Sequence, residues 1–284
     1  MIDISSGTRL LGVIGHPIAH SLSPLFQNAA LSAAGLPYVY LAFDVLPEQL
    51  VKALGGMQAL GIRGFNLTLP HKEAVVPFLD ELTQEAKVIG AVNTVVNREG
   101  KLIGYNTDPI GFVRSVETEK IDLAGKKVLL LGAGGVSRAI VYALWQKGVG
   151  FIFVVNRTPE RAQRLASWAK DQLFLEIQVG NWESLLAGEC PFLQEVEIVI
   201  NATSLGLKGE EIFLPWDKIP NGSFLMDIVY RPGETPLVQQ AKKRSWVSFD
   251  GKKMLIYQGA ASFELFTGKP APLEAMARAL KDIS

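Results

Sequence analysis

The sequence predicts an α/β protein built from two domains. Three observations carry that expectation. The chain has 284 residues, about twice the usual length of a single domain. Its first part alternates short apolar, β-branched runs with stretches of helical periodicity. A second alternating series opens near residue 125, after the polar stretch Glu117-Thr118-Glu119-Lys120.

In order, residues 10–15 read as a buried strand closed by glycine. Residues 23–31 read as a helix with Ser23 as N-cap and Pro24 in its first turn. A strand is expected over 38–45. A helix follows over 48–60, with Leu50, Val51, Leu54 and Met57 at helical spacing. Residues 64–68 form the next strand and 72–79 a helix, and strands 91–97 and 101–106 make a hairpin around Arg98-Glu99-Gly100. The second series predicts strand 126–131, helix 136–147, strand 151–155, helix 159–170, and strands 197–200 and 224–227. A last helix over 257–266 comes after the second sheet is complete and is free to fold back on the first domain. The expected domains are therefore 1–108, 109–251 and a returning C-terminal segment, 252–284.

Composition narrows the function. Lys+Arg and Asp+Glu both number 28, a formal net charge of zero, so no global field draws the chain to nucleic acid or an anionic membrane. One cysteine, Cys190, and three histidines exclude an internal disulfide and a multi-Cys zinc site, and argue against a histidine-rich metal cage. His16 and His20 are four apart, but Pro17 between them breaks a shared helical face. No apolar run of 18 residues and no leader-like N-terminus are evident. A cytoplasmic protein that handles a small molecule is expected, as a monomer or homodimer, with no metal.

The strongest local signal is Gly132-Ala133-Gly134-Gly135-Val136 between a predicted strand and a predicted helix. Glycine at 132 permits a tight turn, and glycine at 134 lets backbone N–H groups approach a pyrophosphate at the helix N-terminus. Ser137 stands where a third glycine is usual. The next predicted strand ends in Asn156-Arg157-Thr158, with Arg161 one turn on. An NAD site normally has a carboxylate here for the ribose hydroxyls, whereas two guanidiniums suit a 2′-phosphate. NADP is favoured over NAD, and the second domain is of Rossmann type.

Polar clusters in the first domain lie at or just beyond predicted strand ends, where α/β sheets place ligands. They are Ser21 with Ser23, the Asn66-Leu67-Thr68-Leu69-Pro70-His71-Lys72 stretch, Asn93-Thr94, and Asn106-Thr107-Asp108.

These motifs, with Gly90-Ala91-Val92-Asn93-Thr94, Asn201-Ala202-Thr203-Ser204 and Gln258-Gly259-Ala260, resemble the shikimate dehydrogenases of the shikimate/quinate dehydrogenase family. The matches run in order over nearly the whole chain. The resemblance implies an N-terminal substrate domain, a dinucleotide domain and a cleft between them. It implies NADP-dependent interconversion of 3-dehydroshikimate and shikimate, on the pathway to chorismate and the aromatic amino acids. By motif, Lys72 and Asp108 are the expected catalytic pair. Ser21, Ser23, Thr68, Asn93, Tyr230 and Gln258 are expected on substrate. Gly132, Ala133, Gly134, Gly135, Val136, Asn156, Arg157, Thr158, Arg161, Ile228 and Gly251 fall at cofactor positions. Isoleucine at 228 stands where many relatives carry methionine, and His71 where many are aromatic. The chemistry agrees, since a ketone reduced by hydride needs a proton donor that also stabilises the developing alkoxide, and a lysine ammonium does both. Two alternatives stay open: a quinate dehydrogenase of the same fold, and a non-catalytic dinucleotide sensor.

Overall fold

The computed structural model describes residues 4–281. The chain divides into two compact units. One holds residues up to Gly111 together with those from Leu255 onward, and the other is Phe112–Met254.

The first unit begins β1 (Arg9–Gly15), α1 (Ser23–Ala33), β2 (Tyr38–Asp44), α2 (Leu50–Ala59) and β3 (Gly64–Leu67). It continues α3 (His71–Ala74), β4 (Glu81–Leu82), α4 (Gln84–Ile89), β5 (Thr94–Arg98), β6 (Lys101–Tyr105) and the start of α5 (Asp108–Glu117). Its sheet has the order β2-β1-β3-β5-β6-β4. The β2, β1 and β3 strands run parallel, as a βαβ alternation requires. The β5–β6 hairpin inserts antiparallel, so this sheet is mixed. Its turn places Glu99 and Gly100 at positive φ, as a two-residue hairpin connection demands.

The second unit contains β7 (Lys127–Leu131), α6 (Ser137–Gln146), β8 (Phe151–Val155), α7 (Pro159–Leu173), β9 (Ile177–Gly180), α8 (Trp182–Leu186) and β10 (Ile198–Asn201). After them come β11 (Phe224–Asp227), α9 (Pro236–Lys242) and β12 (Ser248–Phe249). The sheet order is β12-β11-β10-β7-β8-β9, all parallel. Counted from β7 this is the 3-2-1-4-5-6 arrangement of a Rossmann fold, with its switch point between β7 and β10. Residues 128–131 are wholly buried, because helices cover both faces of a parallel sheet. The chain closes with α10 (Lys252–Thr267) and α11 (Leu273–Lys281). From α10, Phe263 and Phe266 join Leu11, Phe26 and Tyr40 in one apolar cluster of the first unit.

Several local expectations need correction. Ser23 does not cap α1. It is already helical, Leu22 occupies the cap position, and Ser21 Oγ accepts the Ser23 N–H at 3.3 Å. The helix expected over 72–79 survives as one turn, because Pro77 offers no N–H and the chain continues as a short 3-10 turn. The strand expected from residue 91 begins at Thr94, since the Val92 N–H turns away to the Lys72 carbonyl. Residues 47–49 form a 3-10 turn ahead of α2. Helices α4, α8, α9 and α11 were not expected from the sequence; of these, α4 and α9 start at capping threonines, Thr83 and Thr235.

Candidate active site

Lys72 lies in the single turn of α3, and Asp108 opens α5. Lys72 Nζ donates to Asp108 Oδ2 at 2.6 Å. The aspartate side chain is 6% exposed and the lysine 20%, so the pair is sheltered but the amine reaches solvent. Asp108 Oδ1 accepts from Asn93 Nδ2 at 2.8 Å. Its backbone N–H donates to Asn106 Oδ1 at 3.1 Å, which fixes the entry to α5. Both carboxylate oxygens are thus engaged, one by the catalytic candidate and one by a buried amide.

Asn93 is the hub. Its Oδ1 accepts from the Thr107 N–H at 2.8 Å and from the Thr94 hydroxyl at 2.9 Å. Its two amide hydrogens are divided among Thr107 Oγ1, Asp108 Oδ1 and Gln258 Oε1. Behind it, Asn66 Nδ2 faces the Asn93 carbonyl, Thr94 Oγ1 and Ser262 Oγ, and its Oδ1 accepts from the Tyr40 hydroxyl at 2.7 Å. Tyr40 is fully buried, and that burial raises its phenol well above the ordinary value, opposed by a hydrogen bond from Ser23. Such a satisfied buried network holds a single side-chain arrangement.

Four expected site residues, Lys72, Asp108, Asn93 and Gln258, are therefore in direct hydrogen-bonded contact. Ser23 joins through Tyr40 and Asn66. Ser21 and Thr68 have no hydrogen bond to the Lys72–Asp108 pair among the described residues. Ser21 serves the start of α1, and the Thr68 methyl packs where a side chain on Gly15 would stand. Tyr40 and Ser262 went unrecognised in the sequence. Ser262 stands four residues, one helical turn, after Gln258 and donates to its carbonyl at 3.0 Å; that spacing was readable.

In the second unit Gly132 takes φ +103°, and a Cβ there would meet the Ala202 carbonyl oxygen at 2.8 Å. A Cβ on Gly134 or Gly135 would meet nothing within 4 Å, so backbone beside them lies open for a phosphate. Ser137 knots the loop, accepting from the Gly134 N–H at 3.0 Å and donating to the Gly132 carbonyl at 3.1 Å. A hydroxyl tie thus stands where a third glycine is usual. Asn156 links strand end to glycine loop, its Oδ1 accepting from the Ala133 N–H at 3.2 Å and its Nδ2 donating to the Thr158 carbonyl at 2.8 Å. Arg157 and Arg161 are exposed, and neither side chain has a hydrogen-bond or ion-pair partner among the described residues. The open glycine turn and two free guanidiniums fit a 2′-phosphorylated dinucleotide. Gly251 packs directly on the Ile228 carbonyl, so no side chain fits at 251. Tyr230 is half-buried, and burial raises its hydroxyl above the usual value.

His16 finds a carboxylate remote in sequence, Asp44 at 2.8 Å. Burial raises the Cys190 thiol, the reverse of what a reactive cysteine needs. Among the described residues no group of His, Cys, Asp and Glu is placed to hold a metal ion.

The substrate binding domain model of shikimate dehydrogenase matches residues 13–95, that of shikimate/quinate 5-dehydrogenase residues 115–208, and the shikimate 5′-dehydrogenase C-terminal domain residues 253–281. The shikimate dehydrogenase (NADP(+)) of Moorella thermoacetica is 45% identical over 287 residues, 99% of this chain and 96% of that one. The chain belongs to the shikimate dehydrogenase family. A second shikimate dehydrogenase (NADP(+)), from Thermococcus kodakarensis, is 46% identical over 98% of both chains. The solved shikimate 5-dehydrogenase of Thermus thermophilus, in complex with NADP(H) and shikimate, matches with a TM-score of 0.86 and 37% identity, over 98% of this chain and 100% of that one. No helix among the described residues is long and apolar enough to cross a membrane.

Proposed function

We propose that this member of the shikimate dehydrogenase family catalyses the reversible, NADP-dependent reduction of 3-dehydroshikimate to shikimate, on the route to chorismate and the aromatic amino acids. The observation that carries the reading is the 2.6 Å contact between Lys72 and Asp108, in a chain whose second unit holds an open glycine turn and free arginines.

When bound, the nicotinamide supplies or accepts the hydride at the carbon bearing the reacting oxygen. The remaining work falls to the protein. The Lys72 ammonium donates a hydrogen bond to the ketone oxygen and passes it a proton as negative charge develops there. Asp108 anchors the amine and, in the oxidative direction, shares the proton released by the hydroxyl, so the two are assigned jointly. Ser21, Ser23, Thr68, Asn93, Tyr230 and Gln258 are assigned to the substrate hydroxyls and carboxylate. Because the Asn93 hydrogens are already engaged, that residue contacts substrate only by releasing one of them, and its steadier task is to orient Asp108. Residues 1–108 with 252–284 are assigned to substrate and 109–251 to coenzyme. In that second group Gly132, Ala133, Gly134, Gly135 and Val136 take the pyrophosphate, Asn156, Arg157, Thr158 and Arg161 the phosphorylated ribose, and Ile228 and Gly251 the nicotinamide end. The enzyme is taken to be cytoplasmic, a monomer or a homodimer.

The test is formation of the reduced coenzyme, read by absorbance, from shikimate and from quinate: NADPH with NADP+ and NADH with NAD+. A kcat/KM highest for shikimate with NADP+ supports the assignment. Preference for quinate or NAD+ selects the quinate enzyme instead, and no turnover of either acid selects a dinucleotide sensor.

A further inference from the structure

Asp227 is the last residue of β11, and the strand register sets it beside Asn201, the last residue of β10. It is fully buried. Its Oδ1 accepts from Asn201 Nδ2 at 2.8 Å and from the Val229 N–H at 3.1 Å. Its Oδ2 accepts from the Thr235 hydroxyl at 2.6 Å, and Thr235 in turn caps α9. No basic side chain contacts it among the described residues. The acidic neighbour that bears on it is Asp250, itself paired with Lys252 at 3.4 Å.

Asn201 carries the tie onward. Its Nδ2 also donates to the Leu205 carbonyl at 3.2 Å, and its Oδ1 accepts from the Thr203 N–H and hydroxyl at 3.1 and 2.7 Å. Thr203 Oγ1 accepts the Leu205 N–H at 3.1 Å, and the Ile228 N–H donates to the Asn201 carbonyl at 2.9 Å. Asp227 and Asn201 thus close the first turns of two loops, residues 202–206 after β10 and 228–230 after β11. The first of these loops starts against the glycine turn, since Ala202 stops a side chain at Gly132.

In a Rossmann sheet one mononucleotide lies over the strands of the first half, here the glycine turn and the Arg157 end of β8. The other lies over the second half, β10 to β12. A carboxylate buried without a cation is costly unless hydrogen bonds compensate it. Every hydrogen bond Asp227 receives comes from a segment at that second-half strand end. We infer that Asp227 is a positioning residue for the nicotinamide half of the coenzyme site, its carboxylate setting the shape of residues 202–206 and 228–230. The inference rests on the coenzyme reading proposed above. Burial raises the Asp227 carboxyl to about 6, against the hydrogen bonds from Thr235, Val229 and Asn201, so the fold keeps an acid here at the expense of its ionisation.

The experiment measures binding to the full chain by calorimetry, with NADP+ and with 2′,5′-ADP, a fragment that carries the 2′-phosphate but no nicotinamide. Asp227→Ala is expected to weaken NADP+ by about tenfold or more while 2′,5′-ADP stays within about twofold. Asp227→Asn is expected to keep most of the NADP+ affinity, because its amide oxygen still accepts from Asn201 and Val229 and its NH2 faces the Thr235 hydroxyl. Unchanged NADP+ affinity in Asp227→Ala, or equal loss of both ligands, overturns the inference. If Asp227→Ala does not fold, Asn201→Ala carries the same comparison with the same outcomes. A native chain that binds neither ligand overturns the coenzyme reading and this inference with it.

Discussion

Lys72 and Asp108 are 36 positions apart in the chain, yet their side chains meet at 2.6 Å. The contact is assembled from two strand ends: the Val92 N–H holds the Lys72 carbonyl, and Asn93, the next residue, holds Asp108. The charge pair therefore depends on one short stretch of backbone that grips both partners.

Lys72→Ala removes the proposed proton donor. Its kcat for shikimate oxidation is expected to fall by about 100-fold or more, while the NADP+ dissociation constant stays within about twofold of the native value. Steady-state kinetics with calorimetry on the same preparation check both. Unchanged turnover removes Lys72 from the chemistry.

Arg157→Asp places a carboxylate where a phosphate is expected. KM for NADP+ is predicted to rise by about 10- to 100-fold, from loss of a charge-assisted bond and added repulsion. KM for NAD+ should change little. Equal losses for the two coenzymes refute the phosphate clamp.

Asp227 gives the stability of the protein a pH signature. Its folded carboxyl holds a proton up to about pH 6, against an ordinary value of 3.8. Between those limits the folded state binds more protons than the unfolded one. Stability from this group is therefore full at low pH, falls as pH rises through the window, and is flat above it. The swing is on the order of 3 kcal/mol for a shift of about two pKa units. Asp227→Asn cannot titrate, so its Tm relative to native should climb from pH 4 to pH 6 and then level. A difference that does not vary with pH contradicts the assignment.

Ser262→Ala leaves Asn66 and Thr94 short of a buried partner. The expected cost is about 1–3 kcal/mol, read as a lower Tm. Turnover is expected to drop with it, because Asn66 and Thr94 are the residues against which Asn93 rests. A variant of native Tm and native turnover shows that the hydroxyl is dispensable.

Much of this was legible in the sequence because the signals are local. The apolar runs at 128–131 and 152–155, the glycine turn, and the Arg157 pair need only a strand and a helix around them. Lys72 and Asp108 were visible through motif order. Other parts depended on registers the sequence does not display. Tyr40 looked like one more apolar strand residue, and only the β2-β1-β3 arrangement carries its hydroxyl to Asn66. Asp227 read as a plain strand end until β10 and β11 were aligned. Some errors were avoidable: Pro77 was there to break a helix, and Thr83 and Gly90 bracket α4 with a cap at each end.

The β5–β6 hairpin has a consequence for how relatives of this chain can vary. Thr94 faces Tyr105 across the ladder, so the residues just outside it, Asn93 and Asn106, are brought side by side with Asp108 close behind. Removing one facing pair from the far end shortens both arms alike and keeps that meeting. Removing one residue from a single arm would rotate everything on one side by half a pleat and send Asn93 to the opposite surface. Natural length changes at this tip should therefore come in even steps, or within Glu99-Gly100 alone.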